Sequence, residues 1–252
     1  MSNDLIDILA ARSGIVCAVG AGGKKTTLHR IARAHPGRVG LTATVPMTPV
    51  PDDVGAETVI GPAETLAALV PERAEKHRVV VFAEPSIKAG RLAGLDPAAI
   101  APLHRDAHFD VTLVKADGAR MRFMKAPQPD EPALPPGVTT VLPIVSARII
   151  GRPLTDKLAH RIERIEAVTG ARMGAPVTPT HIARLLASED GALHKVGDAT
   201  VVPVINMVDD IASADPARQA AREALSLTGR FDRVVLASMT ADEPVIEVVY
   251  AA

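Results

Sequence analysis

The sequence is poor in aromatic residues and in cysteine. It has no Trp, one Tyr and four Phe among 252 residues, so it lacks the stacking side chains with which proteins hold single-stranded nucleic acid. Its single cysteine, Cys17, cannot form an intrachain disulfide or a Cys-based zinc site, and its apolar neighbours indicate a small core residue. The core must therefore be built from Val, Ile, Leu and Ala.

Net charge and long apolar runs are also lacking. Twenty-eight Lys and Arg nearly cancel 29 Asp and Glu, leaving a net charge of -1, so any anion site must be local rather than a property of the whole surface. No apolar stretch approaches the roughly 18 residues of a membrane span. Asp4 and Asp7 stand where a secretory signal would carry basic residues. We expect a cytoplasmic protein that binds neither nucleic acid nor a membrane.

Short β-branched runs alternate with longer segments of helical pattern, and 47% of the residues are apolar. This alternation predicts an α/β fold, a mostly parallel sheet flanked by helices. The predicted strands are residues 15–19, 39–43, 79–83, 111–114, 201–205 and 234–236, and the predicted helices are residues 28–34, 63–76, 156–169 and 216–227. We expect a single domain over residues 1–252, with a proline-rich surface loop at about 126–137.

The segment after the first predicted strand has the order of a phosphate-binding loop. Its glycines would let backbone N–H groups turn inward around an anion, and the helix that opens near Thr26 would add the positive end of its dipole. We therefore predict that a nucleotide binds at residues Gly20, Ala21, Gly22, Gly23, Lys24, Lys25, Thr26 and Thr27. The alternative is an ordinary glycine turn with two solvated lysines.

The match to the pattern Gly-x-x-x-x-Gly-Lys-Ser/Thr is imperfect. Lys24 follows Gly23 but precedes another lysine, whereas Lys25 precedes Thr26 but follows a lysine. Either lysine would serve as the phosphate ligand. The hydroxyl of Thr26 or Thr27 would then hold Mg²⁺.

Two acidic residues follow predicted strands and would project at the same sheet edge as this loop. Glu84 and Asp117 are candidates for orienting Mg²⁺ or the attacking group, because such carboxylates lie at carboxyl ends of strands in parallel sheets. Arg120 would offset charge that develops on a transferred phosphoryl group or would bind an anionic substrate. The alternatives are a turn or helix cap for each acid and a solvated loop for Arg120.

Near the C-terminal third, Asn206 and Asp209 follow a strand in an arrangement similar to the Asn-Lys-x-Asp element with which GTPases read guanine. Met207 stands where that element has lysine. Pro203 removes a backbone donor from the strand, which favours an edge or bulged position. The alternative is a plain strand-to-helix turn in which Asp209 or Asp210 caps the helix.

Six motifs follow one another along the chain: Gly20-Ala-Gly-Gly-Lys-Lys-Thr-Thr, Leu92-Ala-Gly-Leu-Asp-Pro, Ala116-Asp-Gly-Ala-Arg with Lys125-Ala-Pro, Val177-Thr-Pro-Thr, Val202-Pro-Val-Ile-Asn-Met-Val-Asp and Phe231-Asp-Arg-Val-Val-Leu-Ala-Ser. In this order and spacing, they resemble the family of selenium-dependent hydroxylase accessory proteins usually called YqeC.

The resemblance implies a P-loop protein, similar in fold to P-loop NTPases, that assists maturation of a molybdenum hydroxylase, its cofactor or its selenium. It implies a phosphate loop at residues 20–27, an acidic element at 117–120 and a base-reading element at 206–209. The implied ligands are Mg²⁺ with ATP or GTP, and the implied partner is a molybdenum hydroxylase or a molybdopterin species.

Three functions fit these expectations. In the first, the chain is a P-loop nucleotidase or transferase in which Lys24 and Lys25 hold phosphate oxygens, with Thr26, Glu84, Asp117 and Arg120 in the roles given above. In the second, it is an ATP-dependent ligase or kinase, because its glycine-lysine start also resembles the nucleotide loop of Mur-type ligases. In the third, it is a non-catalytic, nucleotide-gated carrier or chaperone of a molybdenum cofactor or apo-enzyme.

Overall fold

The computed structural model describes residues 5–252, and Asp4 lies outside this range. The helices are α1 (Leu5–Ile8), α2 (Lys24–Ala34), α3 (Ala63–Lys76), α4 (Pro97–Asp106), α5 (Ile162–Thr169), α6 (Pro179–Ala187) and α7 (Ile211–Leu227). The strands are β1 (Gly14–Gly20), β2 (Val39–Ala43), β3 (Glu57–Ile60), β4 (Val79–Pro85), β5 (Leu92–Ala93), β6 (Val111–Lys115), β7 (Met124–Lys125), β8 (Val138–Ser146), β9 (Ala159–His160), β10 (Thr200–Val201), β11 (Val204–Asn206), β12 (Arg233–Ala237) and β13 (Val245–Tyr250).

The chain divides into two compact units. The first contains the described residues up to Ala18 together with Thr27–Asp117 and Ala133–Thr140, and the second contains Val19–Thr26, Gly118–Pro132 and Val141–Ala252. The single domain expected from the sequence stays a prediction. The proline-rich segment at 126–137 contains neither helix nor strand, as its composition predicts.

The first unit contains a parallel sheet with strand order β3-β4-β2-β6-β1. All residues of β2 and the first five residues of β4 are buried, which explains their continuous apolar sequences, since a strand covered on both faces has no solvent side. Helix α3 packs against β3 and β4. The short β5 pairs antiparallel with the end of β4, where Ala93 lies opposite Glu84.

The second unit contains parallel strands β8, β11 and β12, with β13 antiparallel to β12 at the edge. The end of β1 lies beside β8, where the Ala21 N–H donates to the Ile144 carbonyl at 2.8 Å. Helix α7 packs against β12, β13 and α6. Its buried face consists of small residues, Ala217, Ala220, Ala221 and Ala224, and their helical spacing provides one smooth packing surface.

Mostly parallel strands flanked by helices confirm the predicted α/β class, and the fold is consistent with that of P-loop NTPases. Within residues 5–252, every helix is too short or too polar to cross a lipid bilayer.

Proline interrupts the strand predicted at residues 201–205. The structure divides this segment into β10 and β11, because Pro203 has no N–H to donate to a neighbouring strand. Its carbonyl still accepts the Val235 N–H at 2.9 Å. The edge position predicted from Pro203 is wrong, since β11 pairs with both β8 and β12; the proline instead separates β10 from β11.

The helix predicted over residues 156–169 is wrong in its first part. Residues 159–160 form strand β9, and α5 begins only at Ile162. Arg161 has a left-handed backbone with φ of +69°, which an α-helix of L-residues does not accommodate. The helical pattern of the sequence therefore continues across Arg161, although β9 ends before this residue and α5 begins after it.

Two other helices begin earlier than predicted. Helix α7 begins at Ile211, because the Asp210 carboxylate accepts the Ser213 N–H at 2.8 Å and forms a capping box with that residue. Helix α2 begins at Lys24. The first turn of α2 therefore contains Lys24, Lys25 and Thr26, the residues proposed from the sequence to contact phosphate and metal.

Candidate functional site

The glycine loop, residues 20–23, connects β1 to α2 and has a backbone that L-residues rarely adopt. The φ angles of Gly20, Gly22 and Gly23 are +84°, +94° and +119°. Such values are accessible to glycine, since it has no Cβ. Successive residues in this conformation turn their N–H groups away from the usual strand direction, which is the backbone property that phosphate-binding loops use.

The same glycines also lie against neighbouring backbone and side chains. A Cβ added at Gly20 would lie 2.4 Å from the Ile144 carbonyl oxygen, at Gly22 2.6 Å from the Ser146 nitrogen, and at Gly23 2.3 Å from Asn206 Nδ2. All three distances are shorter than real Cβ contacts. The loop is therefore packed directly onto the residues that end β8 and β11.

The two lysines of the loop have different environments. Lys24 is 5% exposed, and its ammonium donates a hydrogen bond to the carbonyl of Gly20, within the same loop. Lys25 is half-buried. The charge of Lys24 is thus held inside the turn of the glycine loop.

The two threonines that follow also differ. Thr26 is half-buried in the first turn of α2, whereas Thr27 is fully buried. Thr27 belongs to the first compact unit and Thr26 to the second. Because a metal ligand must be accessible to an incoming ion and its waters, the exposure favours Thr26.

Asn206, the last residue of β11, is hydrogen-bonded to the glycine loop. Its Nδ2 donates to the Gly22 carbonyl at 2.8 Å, and its Oδ1 accepts the Met239 N–H at 3.2 Å. The residue is 2% exposed, so both halves of the amide are satisfied within the protein. Asn206 therefore positions the loop, and contact with a base stays a prediction.

Asp209 is accessible but already hydrogen-bonded at both carboxylate oxygens. Its Oδ2 accepts from Arg148 Nε and Nη2 at 2.9 and 2.6 Å, and its Oδ1 accepts from the Ser238 hydroxyl at 2.8 Å. The side chains of Asp209 and Arg148 are 35% and 54% exposed. A guanine base would compete with Arg148 for Oδ2 of this carboxylate.

Met207, which replaces the lysine of the GTPase element, lies beside the glycine loop. It has a left-handed φ of +62°, and the Ser146 hydroxyl lies 3.1 Å from its sulfur. Its Cε would be 3.8 Å from a Cβ at Gly23. Met207 therefore packs against the loop without contributing a charge.

The predicted acidic residues lie at carboxyl ends of parallel strands in the first unit. Glu84 is half-buried at the end of β4. Asp117, two residues after β6, is 3% exposed. Arg120 belongs to the second unit and is exposed, with a left-handed φ of +48°.

Several polar residues of the second unit are not among the site residues predicted from the sequence. Ser146, Arg148 and Ser238 support the loop or Asp209, as described above. Glu131, His160 and Arg161 join Lys125 in a cluster of charges: Lys125 Nζ lies 2.6 Å from Glu131 Oε2, and Arg161 Nη2 lies 2.7 Å from Glu131 Oε1. Runs of apolar residues before Ser146 and Ser238 were the available signal for those two.

Comparisons with known proteins identify one family. The sequence model of the YqeC protein family matches residues 16–163. An Escherichia coli (strain K12) protein described as "Uncharacterized protein YqeC" is 28% identical over 190 residues, which cover 73% of this chain and 72% of that protein. The family match contains the glycine loop, both acidic candidates and the charged cluster around Glu131, whereas Asn206 and Asp209 lie beyond it.

Proposed function

The chain belongs to the YqeC family, and from that premise we propose that it is a nucleotide-binding accessory protein in the maturation of a selenium-dependent molybdenum hydroxylase or of its cofactor. ATP or GTP as the nucleotide, Mg²⁺ as its metal, a molybdenum hydroxylase or molybdopterin species as the partner and a cytoplasmic location are parts of the same proposal.

One observation carries the nucleotide part of the proposal. The glycine loop has three left-handed glycines and leads directly into α2, with the buried Lys24 bonded to its Gly20 carbonyl. An incoming phosphate would meet backbone N–H groups, the positive end of the helix dipole and this ammonium. A phosphate oxygen is a charged acceptor and therefore a stronger partner for Lys24 than a neutral carbonyl.

The residues proposed for Mg²⁺ have suitable chemistry. Magnesium prefers oxygen ligands and retains several waters, so one hydroxyl and one or two carboxylates beside nucleotide phosphates suffice. In the second unit, Thr26 provides a hydroxyl oxygen and is half-buried. In the first unit, Glu84 and Asp117 provide carboxylate oxygens, and Glu84 is half-buried. The ion, when bound, would neutralise charge on the phosphate oxygens, while Lys24 would orient them.

Substitution of the two lysines tests the nucleotide-binding proposal. We expect Lys24→Ala to weaken binding of MgATP or MgGTP at least about 100-fold, because it removes a charge-assisted bond inside the loop. The matched variant Lys25→Ala, which removes the same charge from the next residue, should change affinity by less than about threefold. Isothermal titration calorimetry gives both values, and wild-type affinity in Lys24→Ala would contradict the proposal.

Phosphate release measured on the same proteins separates the functional alternatives. Release from nucleotide alone supports a nucleotidase, and release that requires an added carboxylate supports a ligase. Saturable binding with no release, with or without a partner enzyme, supports a carrier.

Arg148 provides a test of guanine recognition. Guanine offers N1–H and an exocyclic amino group to a carboxylate, and Asp209 Oδ2 already accepts two such donors from Arg148. We expect Arg148→Ala to increase affinity for GTP about tenfold while leaving that for ATP within twofold, since a bond to a charged group contributes about 1.5–3 kcal/mol. Asp209→Ala in the same background is the control and should abolish the gain. Equal changes for both nucleotides in calorimetry would exclude guanine recognition by Asp209.

A further inference from the structure

Two neighbouring strands of the second unit hold the glycine loop by hydrogen bonds. The Ala21 N–H donates to the Ile144 carbonyl of β8 at 2.8 Å, and the Gly22 carbonyl accepts from Nδ2 of Asn206, in β11, at 2.8 Å. The ends of these strands lie side by side, because Ser146 is the register partner of Asn206. The loop is therefore bonded from one side, to both strand ends.

The opposite side of the loop follows from the geometry of its peptide bonds. Both the Gly20–Ala21 and the Gly22–Gly23 bonds are trans, and a planar trans peptide points its carbonyl and its N–H in opposite directions. The Gly20 carbonyl therefore points away from β8, and the Gly23 N–H points away from the end of β11. Because the Lys24 ammonium donates to that Gly20 carbonyl, the ammonium and the Gly23 N–H lie on the same side of the loop.

The side-chain amide of Asn206 has one orientation that satisfies both of its neighbours. Its Oδ1 accepts the Met239 N–H at 3.2 Å, while its Nδ2 donates to the Gly22 carbonyl. The reverse orientation would place the amide nitrogen against an N–H and the amide oxygen against a carbonyl. Because Asn206 is buried, water does not replace either bond. The Gly22 carbonyl thus faces a donor whose direction is itself fixed by the backbone of Met239.

The peptide between Gly22 and Gly23 needs such an external bond to keep its direction. Glycine has no Cβ, so a peptide plane between two glycines rotates with little steric hindrance. Both residues have left-handed φ angles, +94° and +119°, which are two of several conformations open to glycine. Loss of the Asn206 donor would leave the Gly22 carbonyl and the Gly23 N–H free to exchange sides.

We propose that Asn206 is a positioning residue for the phosphate chain of the nucleotide. It directs the Gly23 N–H to the side of the loop on which the Lys24 ammonium lies, so that both donate to the same polyphosphate. This inference rests on the proposed function and adds to it one main-chain phosphate donor and the residue that orients it. Since a phosphate oxygen is a charged acceptor, both bonds are of the stronger, charge-assisted kind.

The proposed role differs from the base reading suggested by the likeness to the GTPase element. A base-reading asparagine affects one nucleotide more than another, whereas a residue that orients a phosphate donor affects every ligand with the same phosphate chain. Tripolyphosphate has that chain and no base. Asn206 should therefore influence the binding of tripolyphosphate, MgATP and MgGTP by the same factor.

Asn206→Asp tests this role, because the introduced carboxyl has the shape of the amide but donates a hydrogen bond only when protonated. At pH 8 we expect all three ligands, each with Mg²⁺, to bind at least about tenfold more weakly than to wild type. Burial raises the pKa of the introduced carboxyl. At pH 5 the ratio of wild-type to variant affinity in calorimetry should therefore fall to within about threefold, since the donor to Gly22 is restored.

Gln219→Glu is the matched control, because it makes the same exchange of amide for carboxylate at an exposed residue of α7. It should change each affinity by less than about twofold at both pH values. A second measurement uses the wild-type protein alone. In NMR spectra, saturating tripolyphosphate with Mg²⁺ should shift the Gly23 amide proton downfield, since its N–H gains a charged acceptor. The Ala21 proton, which stays bonded to Ile144, should shift much less.

Three affinity results would overturn the positioning role of Asn206: no loss at pH 8 in Asn206→Asp, a loss that persists at pH 5, or a loss confined to MgGTP. An unshifted Gly23 proton at saturation would overturn it as well, even if the variant does not fold. When wild type binds MgATP or MgGTP, each of these results leaves the proposed function standing. A wild-type protein that binds none of the three ligands removes the proposed function and the role of Asn206 with it.

Discussion

Alanine at Gly22 is expected to abolish nucleotide binding and to lower the free energy of unfolding by about 2–4 kcal/mol. The φ of Gly22 is +94°, a value that costs an alanine backbone about 1–2 kcal/mol. Its Cβ would lie 2.6 Å from the backbone nitrogen of Ser146, and backbone at the end of β8 cannot move as a flexible side chain does. The loop must therefore shift, and its N–H groups lose the arrangement that a phosphate requires.

The matched control is Gly229→Ala. Gly229 is exposed, has no left-handed φ, and no atom lies within 4 Å of an added Cβ, so alanine there should change stability by less than about 0.5 kcal/mol. Urea unfolding gives the stabilities, and calorimetry with MgATP and MgGTP gives the affinities. A Gly22→Ala protein that binds nucleotide as wild type does would show that the left-handed loop is not the binding element.

The glycine loop and most of the sheet were predictable because their signals are local. A buried parallel strand is a continuous apolar run, so residues 39–43 predict β2 with its observed bounds. The order of strand, glycines, lysines and helix is likewise contained within about twenty residues. The proline at 203 predicted a backbone irregularity, because the missing N–H depends on that residue alone.

What could not be predicted depends on residues distant in sequence. Arg148 pairs with Asp209 across 61 residues, and no pattern in either segment indicates the other. The sequence also does not show which of the two lysines lies inside the loop, because that depends on where α2 begins. The helix begins at Lys24, and the ammonium of Lys24 donates a hydrogen bond to the Gly20 carbonyl. The helical periodicity of residues 156–169 includes Ala159 and His160, which instead pair with β7 as strand β9.

The same limit applies to the ion pairs that Glu131 forms with Lys125 and Arg161. The composition of the proline-rich segment predicts a surface loop. In the structure, Glu131 of this segment forms ion pairs with Lys125, whose side chain is buried, and with Arg161. A buried lysine is stable only where a carboxylate compensates its charge. The buried Lys125 therefore requires the negative charge of Glu131.

Glu131→Gln is expected to lower the free energy of unfolding at pH 7 by about 2–4 kcal/mol, because it leaves Lys125 buried without its carboxylate. The effect should depend on pH in one direction. The pKa of Glu131 is lowered from its ordinary value of 4.5 to about 2 in the folded protein, so the stabilisation is complete above pH 4.5 and is lost as the pH falls towards 2. Urea unfolding at pH 7 and pH 3 should therefore show a smaller difference between wild type and variant at pH 3.

Glu163→Gln is the matched control, because Glu163 is an exposed carboxylate in the first turn of the nearby α5. It should reduce stability by less than about 0.5 kcal/mol at either pH. A Glu131→Gln effect as small as that of the control, or one of equal size at pH 7 and pH 3, would mean that Glu131 does not carry its charge as an ion pair.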